Sequence, residues 1–250
     1  MNSSPPDTPP KPTGLRVQPT FASQSALEQA IQEATATGTT KTRVMVFAGL
    51  KGGLGKTTSA MALALALHAI GLSVVVIDAD PLSQTARTWA ADCESQSDPL
   101  PFRVVGYAMT GLAEYVTNEF IGLLDVVIID TGADGERLMR DACRIADDLV
   151  MVMGPDDADL KRLPATWQTA HLVAAETGRA FSAHVLLVRC PTSSTMKAAA
   201  VENLAKVGIT PLSVSVPQAV MYRRMSGTHP QDIGAYTYVA EELTREETTA

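Results

Sequence analysis

Eight consecutive residues at positions 51–58, Lys-Gly-Gly-Leu-Gly-Lys-Thr-Thr, have the composition of a loop that binds phosphate groups. In the pattern G-x-x-x-x-G-K-[ST], backbone N–H groups surround the phosphates of a nucleotide, the lysine contacts the β and γ oxygens, and the hydroxyl binds Mg²⁺. Gly55, Lys56 and Thr57 match the second half of this pattern, whereas Leu50 occupies the position of the first glycine. The segment predicts a site for a nucleotide and Mg²⁺.

Lys51 supplies a second cation to the loop. With it, the segment resembles the deviant phosphate loop K-G-G-x-G-K-[ST] of the ParA/MinD family of dimerising ATPases. In that family the early lysine crosses a dimer interface and contacts the phosphates bound by the other subunit, and Lys51 matches that residue. The resemblance implies ATP and Mg²⁺ as cofactors and a homodimer in the ATP state. It also implies nucleotide contacts from the whole loop, namely Lys51, Gly52, Gly53, Leu54, Gly55, Lys56, Thr57 and Thr58.

The residues around the loop favour a strand before it and a helix after it. Residues 42–47 form an apolar, β-branched run, and residues 56–69 are rich in Ala, Leu and Met without Pro or Gly. A glycine loop in this position directs unpaired N–H groups and the positive end of the helix dipole towards an anion. The alternative is a glycine-rich turn that only connects a strand to a helix.

Two further segments place aspartates after apolar runs that are typical of buried parallel strands. Residues 73–77 lead into Asp-Ala-Asp-Pro at 78–81, and residues 125–129 lead into Asp-Thr-Gly-Ala at 130–133. In open α/β sheets, ligands bind outside the carboxyl ends of the strands. We therefore expect these aspartates to converge with the phosphate loop.

The chemistry of a nucleotide hydrolase suggests a different task for each aspartate. Mg²⁺ keeps several waters, so Thr57 and Asp130 are a sufficient protein contribution to a metal site. Asp80 is left to orient or polarise the attacking water, and Asp78 to support it. In the ParA/MinD family the Asp-x-Asp-Pro sequence is the first switch, and Asp130 matches the Walker B aspartate. Each aspartate alone is also compatible with a helix N-cap or a turn. The predicted catalytic residues are Lys51, Lys56 and Asp80.

Three segments depart from the family pattern. The glutamine that commonly follows Asp-x-Asp-Pro is replaced by Leu-Ser-Gln at 82–84, and the prolines of the second switch by Thr-Gly-Ala at 131–133. The Asn-Arg pair expected at the end of a late strand is Val-Arg at 188–189. The resemblance assigns the base contacts to Arg189 and Pro217.

Composition and pattern predict one α/β domain over residues 41–250, with a doubly wound, mostly parallel sheet flanked by helices. The 250-residue chain is 46% apolar, which is enough for one sizeable core. Beyond the site, the pattern predicts strands at 148–153, 184–189 and 212–216, and helices at 136–146, 157–177, 194–207 and 236–247. The three cysteines have no C-x-x-C spacing, and Cys93 and Cys143 are expected to be ordinary buried thiols.

Residues 1–40 differ in composition from the rest of the chain. The first nineteen are rich in Pro, Ser and Thr, which predicts a flexible tail, and residues 21–36 could form one amphipathic helix. The pattern contains no helix-turn-helix module, so the resemblance is to short ParA-type partition proteins. The tail is either a protein-interaction arm or a solvated leader.

The charge distribution bears on the partners. The formal net charge is −7, yet a local basic stripe can operate on an acidic protein because salt screens distant charges. The candidate DNA-binding residues are Lys197, Lys206, Arg223 and Arg224, and each alone is also compatible with a solvated surface charge. The acidic run near the C-terminus disfavours a membrane surface. We expect a cytoplasmic, nucleoid-associated protein.

The resemblance implies an ATPase whose ATP dimer binds DNA without sequence preference. A ParB-like or small centromere-binding partner then stimulates hydrolysis, which segregates or positions a plasmid or chromosome. Two alternatives stay open. One is a positioning ATPase for another cargo, such as a protein microcompartment or a chemoreceptor array. The other is a metabolic ligase of the dethiobiotin synthetase type, which needs a substrate pocket near the γ-phosphate.

Overall fold

Six parallel strands form a single sheet in the computed structural model, which describes residues 41–49, 52–132, 136–161, 163–192 and 195–245. Their order is β3-β2-β4-β1-β5-β6. The strands are β1 (Arg43–Ala48), β2 (Val74–Ala79), β3 (Arg103–Gly106), β4 (Val126–Thr131), β5 (Asp148–Met153) and β6 (Ser182–Leu187). The predicted fold class, an α/β sheet with parallel strands, is confirmed.

Nine helices lie in the described part of the chain. They are α1 (Lys56–Ala69), α2 (Thr85–Ser95), α3 (Leu112–Glu119), α4 (Glu136–Cys143), α5 (Asp157–Leu160), α6 (Leu163–Thr177), α7 (Thr195–Lys206), α8 (Val220–Arg224) and α9 (Tyr236–Arg245). Helices α1, α2 and α9 contribute to one core cluster, and α3, α4, α6 and α7 to the other. The sheet is therefore covered on both faces.

Burial on both faces explains the unbroken apolar runs of the central strands. In β1, Val44, Val46 and Ala48 belong to one core cluster, whereas Met45 and Phe47 belong to the other. Along a strand, side chains two residues apart lie on the same face of the sheet. Asp78 of β2 and Asp130 of β4 therefore lie on the face that packs against α1. The fold thereby directs both carboxylates towards the helix that follows the phosphate loop.

The structure differs from the predicted elements in several places. Strand β3 and helices α2, α3 and α8 were not predicted, because they bury few side chains; β3 has only two half-buried residues. The region predicted as one helix at 157–177 forms α5 and α6, with Pro164 at the second position of α6, where its missing N–H is tolerated. Residues 1–40, including the possible helix at 21–36, lie outside the described residues.

The predicted strand at 212–216 is wrong in detail. The N–H groups of Leu212 and Val216 donate to the carbonyls of Val185 and Leu187 at 2.9 and 2.8 Å, so the segment runs beside β6. It does not form a regular strand. Its end is held by a parallel bridge between Cys190 and Pro217, which brings Pro217 to the edge where the phosphate loop lies.

Candidate functional site

The phosphate loop connects β1 to α1 and depends on glycine backbone conformations. Gly53 and Gly55 have φ angles of +73° and +94°, which residues with a Cβ rarely adopt. Gly55 is the N-cap of α1 and no side chain caps this end within the described residues. The N–H groups of the first turn thus face the loop, where an anion can accept them. Leu50 and Lys51 lie outside the described residues.

Lys56 is the first residue of α1 and is almost fully buried, with 7% of its surface exposed. Its positive charge acts on both Asp80 and Asp130. Gly49, which sequence reasoning did not select, lies next to it: an added Cβ would come 3.1 Å from the Val152 carbonyl oxygen, a tight approach, and 3.4 Å from the Lys56 side chain, an ordinary contact. A buried ammonium beside carboxylates, at a helix N-terminus, is an arrangement that binds polyphosphate.

Asp130, in β4, is the most perturbed carboxylate of the site. It is 2% exposed, and its Oδ1 has no hydrogen-bond partner among the described residues. Burial raises the pKa of Asp130 to about 7, and the negative charges of Asp78 and Asp80 add to the rise. The hydroxyl of Thr57 donates to it and, with the charge of Lys56, lowers the pKa.

This pair fits a magnesium site. Thr57 offers a hydroxyl, and Asp130 offers a buried carboxylate oxygen to which no described residue donates; both are oxygen ligands of the kind Mg²⁺ prefers. In the described part of the chain, no group of three or more His, Cys, Asp or Glu side chains is arranged to hold a metal ion. A Mg²⁺ ion here would therefore complete its shell with water and nucleotide oxygens.

Asp78 has a structural task in the loop after β2. It pairs with Asp130 in the register of β2 and β4 and is 1% exposed. Its two oxygens accept the N–H groups of Asp80 at 3.1 Å and Arg87 at 3.0 Å. Burial raises the pKa of Asp78, and the two hydrogen bonds lower it only in part. Asp78 thus joins the loop after β2 to the start of α2.

Asp80 is partly exposed and is held in a tight turn. Its Oδ1 accepts the N–H groups of Leu82 at 2.9 Å and Ser83 at 3.1 Å. Burial tends to raise the pKa of Asp80, but the donors of Leu82 and Ser83 and the charge of Lys56 outweigh it, so the pKa is lowered. An added Cβ on Gly132 would lie 2.9 Å from the Asp80 carboxyl, so the two predicted switch segments are in contact. Asp80 is therefore an ionised carboxylate near Lys56 of the phosphate loop.

The predicted base contacts line a cleft of about 410 Å³ beside the loop. Arg189 and Pro217 form part of it, opposite Gly55 and Thr58 of the loop and helix. The φ angle of Arg189 is +55°, an uncommon conformation for a residue with a side chain. The cleft is also lined by residues that sequence reasoning did not assign to it: Gln218, Tyr222, Arg223, Ser226 and Tyr236. The structure thus brings Arg189 and Pro217 to the phosphate loop.

The four DNA-binding candidates do not form one stripe. Lys197 and Lys206 are nine residues apart on α7, which at about 3.6 residues per turn puts them on opposite sides of the helix. Lys197 is half-buried, whereas Lys206 is exposed and pairs with Glu202 at 3.0 Å. Arg223 lines the cleft beside the phosphate loop. Lys197 and Lys206 therefore do not share one face of α7, and the DNA-binding role of the four residues stays a prediction.

The first part of the chain matches a known family. Residues 45–170, about half of the sequence, match the CbiA family, described as the CobQ/CobB/MinD/ParA nucleotide binding domain. The chain belongs to this family. The match includes the described part of the phosphate loop, Asp80 and Asp130, so the predicted ParA/MinD relationship is confirmed. No curated protein sequence matches the chain.

Solved structures share the CbiA-family fold. Cobyrinic acid a,c-diamide synthase from Mycobacterium smegmatis, with a bound ATP analog and magnesium, is 20% identical with a TM-score of 0.64, covering 83% of this chain and 96% of that one. A plasmid partition protein from Borrelia burgdorferi is 14% identical, with a TM-score of 0.62 and coverages of 82% and 99%. The septum site-determining protein MinD from Pyrococcus horikoshii OT3, complexed with Mg-ADP, is 17% identical, with a TM-score of 0.59 and coverages of 83% and 96%. These likenesses establish the fold alone.

The cysteines and the lengths of the helices bear on two further expectations. Cys93, Cys143 and Cys190 are free and buried, which confirms the prediction of buried thiols for Cys93 and Cys143. Over the described residues, every helix is too short or too polar to cross a lipid bilayer.

Proposed function

We propose that this CbiA-family protein is an ATPase that dimerises with Mg-ATP, binds DNA without sequence preference as the ATP dimer, and positions a plasmid or chromosome with a partner that stimulates hydrolysis. The observation that carries the ATPase part is the buried Asp130 carboxylate, which accepts from Thr57, lies near the charge of Lys56 and has one oxygen without a partner among the described residues. Relatives of the same fold that hold Mg-ADP, or an ATP analog with magnesium, support this nucleotide and metal.

Each residue has a defined task in this proposal. The N–H groups of Gly52 to Thr58 and the Lys56 ammonium bind the phosphates, and Thr57 and Asp130 hold Mg²⁺. A bound Mg²⁺ ion neutralises charge that develops on the β and γ oxygens. Asp80, ionised beside the loop, orients the attacking water. Lys51 completes the site from the second subunit. A lysine provides one point charge instead of a bidentate fork, so basal turnover is slow.

The role of Lys51 predicts that Lys51→Ala keeps nucleotide binding but loses the ATP dimer. Removing a cation that acts in trans at the phosphates lowers partner-stimulated turnover by about 10³-fold. Light scattering of the full chain with ATP, ADP or neither, with and without nonspecific duplex DNA, measures the dimer. The wild-type mass is expected to double with ATP only.

Lys56→Ala is the matched control for Lys51→Ala. Because Lys56 serves its own nucleotide, this variant loses about 10- to 100-fold in ATP affinity, measured by calorimetry. A Lys51→Ala protein that dimerises with ATP and is stimulated like wild type would refute the role of Lys51 in trans. A wild-type protein that stays monomeric with ATP would refute the dimer itself.

We expect the two arginines of α8 to differ in DNA binding, because Arg223 lines the cleft beside the phosphate loop and Arg224 does not. Arg224→Ala is expected to weaken binding of the ATP dimer to any duplex and to lower its salt slope by about one per subunit. Its ATP affinity stays at the wild-type value. Arg223→Ala is the comparison, because Arg223 lines the nucleotide cleft and its loss affects ATP binding first. Unchanged DNA affinity and salt slope in Arg224→Ala would remove Arg224 from the DNA surface.

A second candidate function is a metabolic enzyme, because the shared fold also occurs in cobyrinic acid a,c-diamide synthase. Such an enzyme hydrolyses ATP only with its acceptor substrate, whereas the proposed ATPase responds to DNA and a protein partner. A positioning ATPase for a different cargo would give the same dimer and ATPase results. The cargo then distinguishes it, through co-localisation in cells.

A further inference from the structure

The cleft beside the phosphate loop has an aromatic wall. Tyr222 and Tyr236 line it together with Arg189 and Pro217. Tyr236 is 2% exposed, whereas Tyr222 is only partly buried. Building on the nucleotide binding proposed above, we propose that the ring of Tyr222 is the surface against which the nucleobase packs. Tyr222 is then a specificity-determining residue that distinguishes a nucleotide from a bare polyphosphate.

The ring of Tyr222 is fixed by its neighbours. Its hydroxyl accepts the N–H of Ala235 at 2.8 Å, and its ring meets the Tyr236 ring edge-on, with centroids 5.6 Å apart at 85°. Gly234 has a φ of +57°, and a Cβ added there would collide with the Tyr222 hydroxyl. The absence of a side chain at Gly234 therefore lets Tyr222 take this position. A ring held in place before the ligand arrives loses little freedom on binding.

The same wall is connected to the helix that binds the phosphates. The hydroxyls of Tyr236 and Ser59 are 2.8 Å apart in a hydrogen bond, and both residues are buried. Ser59 is three residues after Lys56, in the first turn of α1. Tyr236 of α9 is therefore packed on the helix that begins at the phosphate loop. Tyr222 of α8 is joined to the same unit through its ring contact with Tyr236 and its hydrogen bond with Ala235.

The chemistry of the contact sets its specificity. Every nucleobase has a flat π face, so stacking on an aromatic side chain favours a nucleotide over inorganic triphosphate without selecting one base. Arg223, beside Tyr222 in the cleft lining, offers a planar cation that also packs on a base. We expect ATP to bind more tightly than tripolyphosphate, with the difference depending on the ring at position 222.

Calorimetric titration of the full chain with Mg-ATP and with Mg-tripolyphosphate tests this proposal. Tyr222→Leu is expected to weaken ATP binding about 10-fold and to leave tripolyphosphate binding unchanged, because only the stacking surface is lost. Tyr222→Phe keeps the ring and is expected to stay within about threefold of wild type for ATP. Tyr238→Leu is the matched control, since Tyr238 is half exposed on α9 and does not belong to the cleft lining.

The outcomes separate this proposal from the proposed function. Wild-type affinity for ATP in Tyr222→Leu, or an equal loss of both ligands, would refute the base contact. A loss in Tyr222→Phe as large as in Tyr222→Leu would do the same, because it would point to the hydroxyl's support of Ala235. Wild-type protein that binds both ligands equally overturns the role of Tyr222 but keeps the phosphate site. Wild-type protein that binds neither overturns both.

Discussion

Replacing Asp80 with asparagine is expected to reduce ATP hydrolysis about 100-fold or more while ATP binding and the ATP dimer persist. Asn keeps an oxygen that can accept the N–H groups of Leu82 and Ser83, so the turn after β2 is preserved. The substitution removes the negative charge that orients the attacking water. Phosphate release with and without partner, together with light scattering, measures both effects. Asp80→Ala, which also loses the turn, is expected to trap the ATP dimer as well.

Asp98→Asn provides the control for this experiment. Asp98 is an exposed aspartate that contacts His229 at 3.1 Å, away from the loop. Its hydrolysis rate should equal that of wild type. Normal hydrolysis by Asp80→Asn would show that the water is oriented by another group. A loss of ATP affinity as large as the loss of rate would assign Asp80 to binding instead.

Asp130→Asn is expected to have opposite effects on the empty and the nucleotide-bound protein. Since the pKa of Asp130 in the folded protein is raised from 3.8 to about 7, the folded state holds a proton that the unfolded state releases. The free energy of unfolding of wild type therefore falls as the pH rises from 4 to 7. This rise in the pKa corresponds to a loss of at most roughly 4 kcal/mol in the free energy of unfolding. Asparagine is neutral at every pH, so the variant does not lose this stability as the pH rises.

Urea denaturation of both proteins between pH 4 and pH 8 measures the effect. The variant is expected to equal wild type near pH 4 and to exceed it in stability, by about 1 to 4 kcal/mol, at pH 8. Added Mg-ATP should reverse the order, because only the carboxylate binds Mg²⁺ well. A stability difference that does not change with pH would refute the raised pKa. Equal stabilisation of both proteins by Mg-ATP would remove Asp130 from the metal site.

Much of the fold and of the phosphate site was predictable from short stretches of sequence. The predicted strand at 42–47 is Arg43–Ala48, and the predicted helix at 56–69 is α1 without change. Both signals are local: an apolar run buried on two faces and a helix without breakers. Strand β3 was missed because it lies at the edge of the sheet, where burial imposes little pattern. Boundaries after β2 and β4 moved because Asp78 and Asp130 continue their ladders.

Residue types within one loop are enough to indicate phosphate chemistry, since consecutive backbone N–H groups and one lysine act over a few ångströms. Long-range packing settles the rest. Strand order puts Asp130 beside Thr57. The packing of α9 on α1, and of the Tyr222 ring against Tyr236, places Tyr222 in the cleft beside the phosphate loop. These placements depend on which elements become neighbours in space, and side chains that lie far apart in the chain, such as Thr57 and Asp130, leave no joint pattern in one sequence.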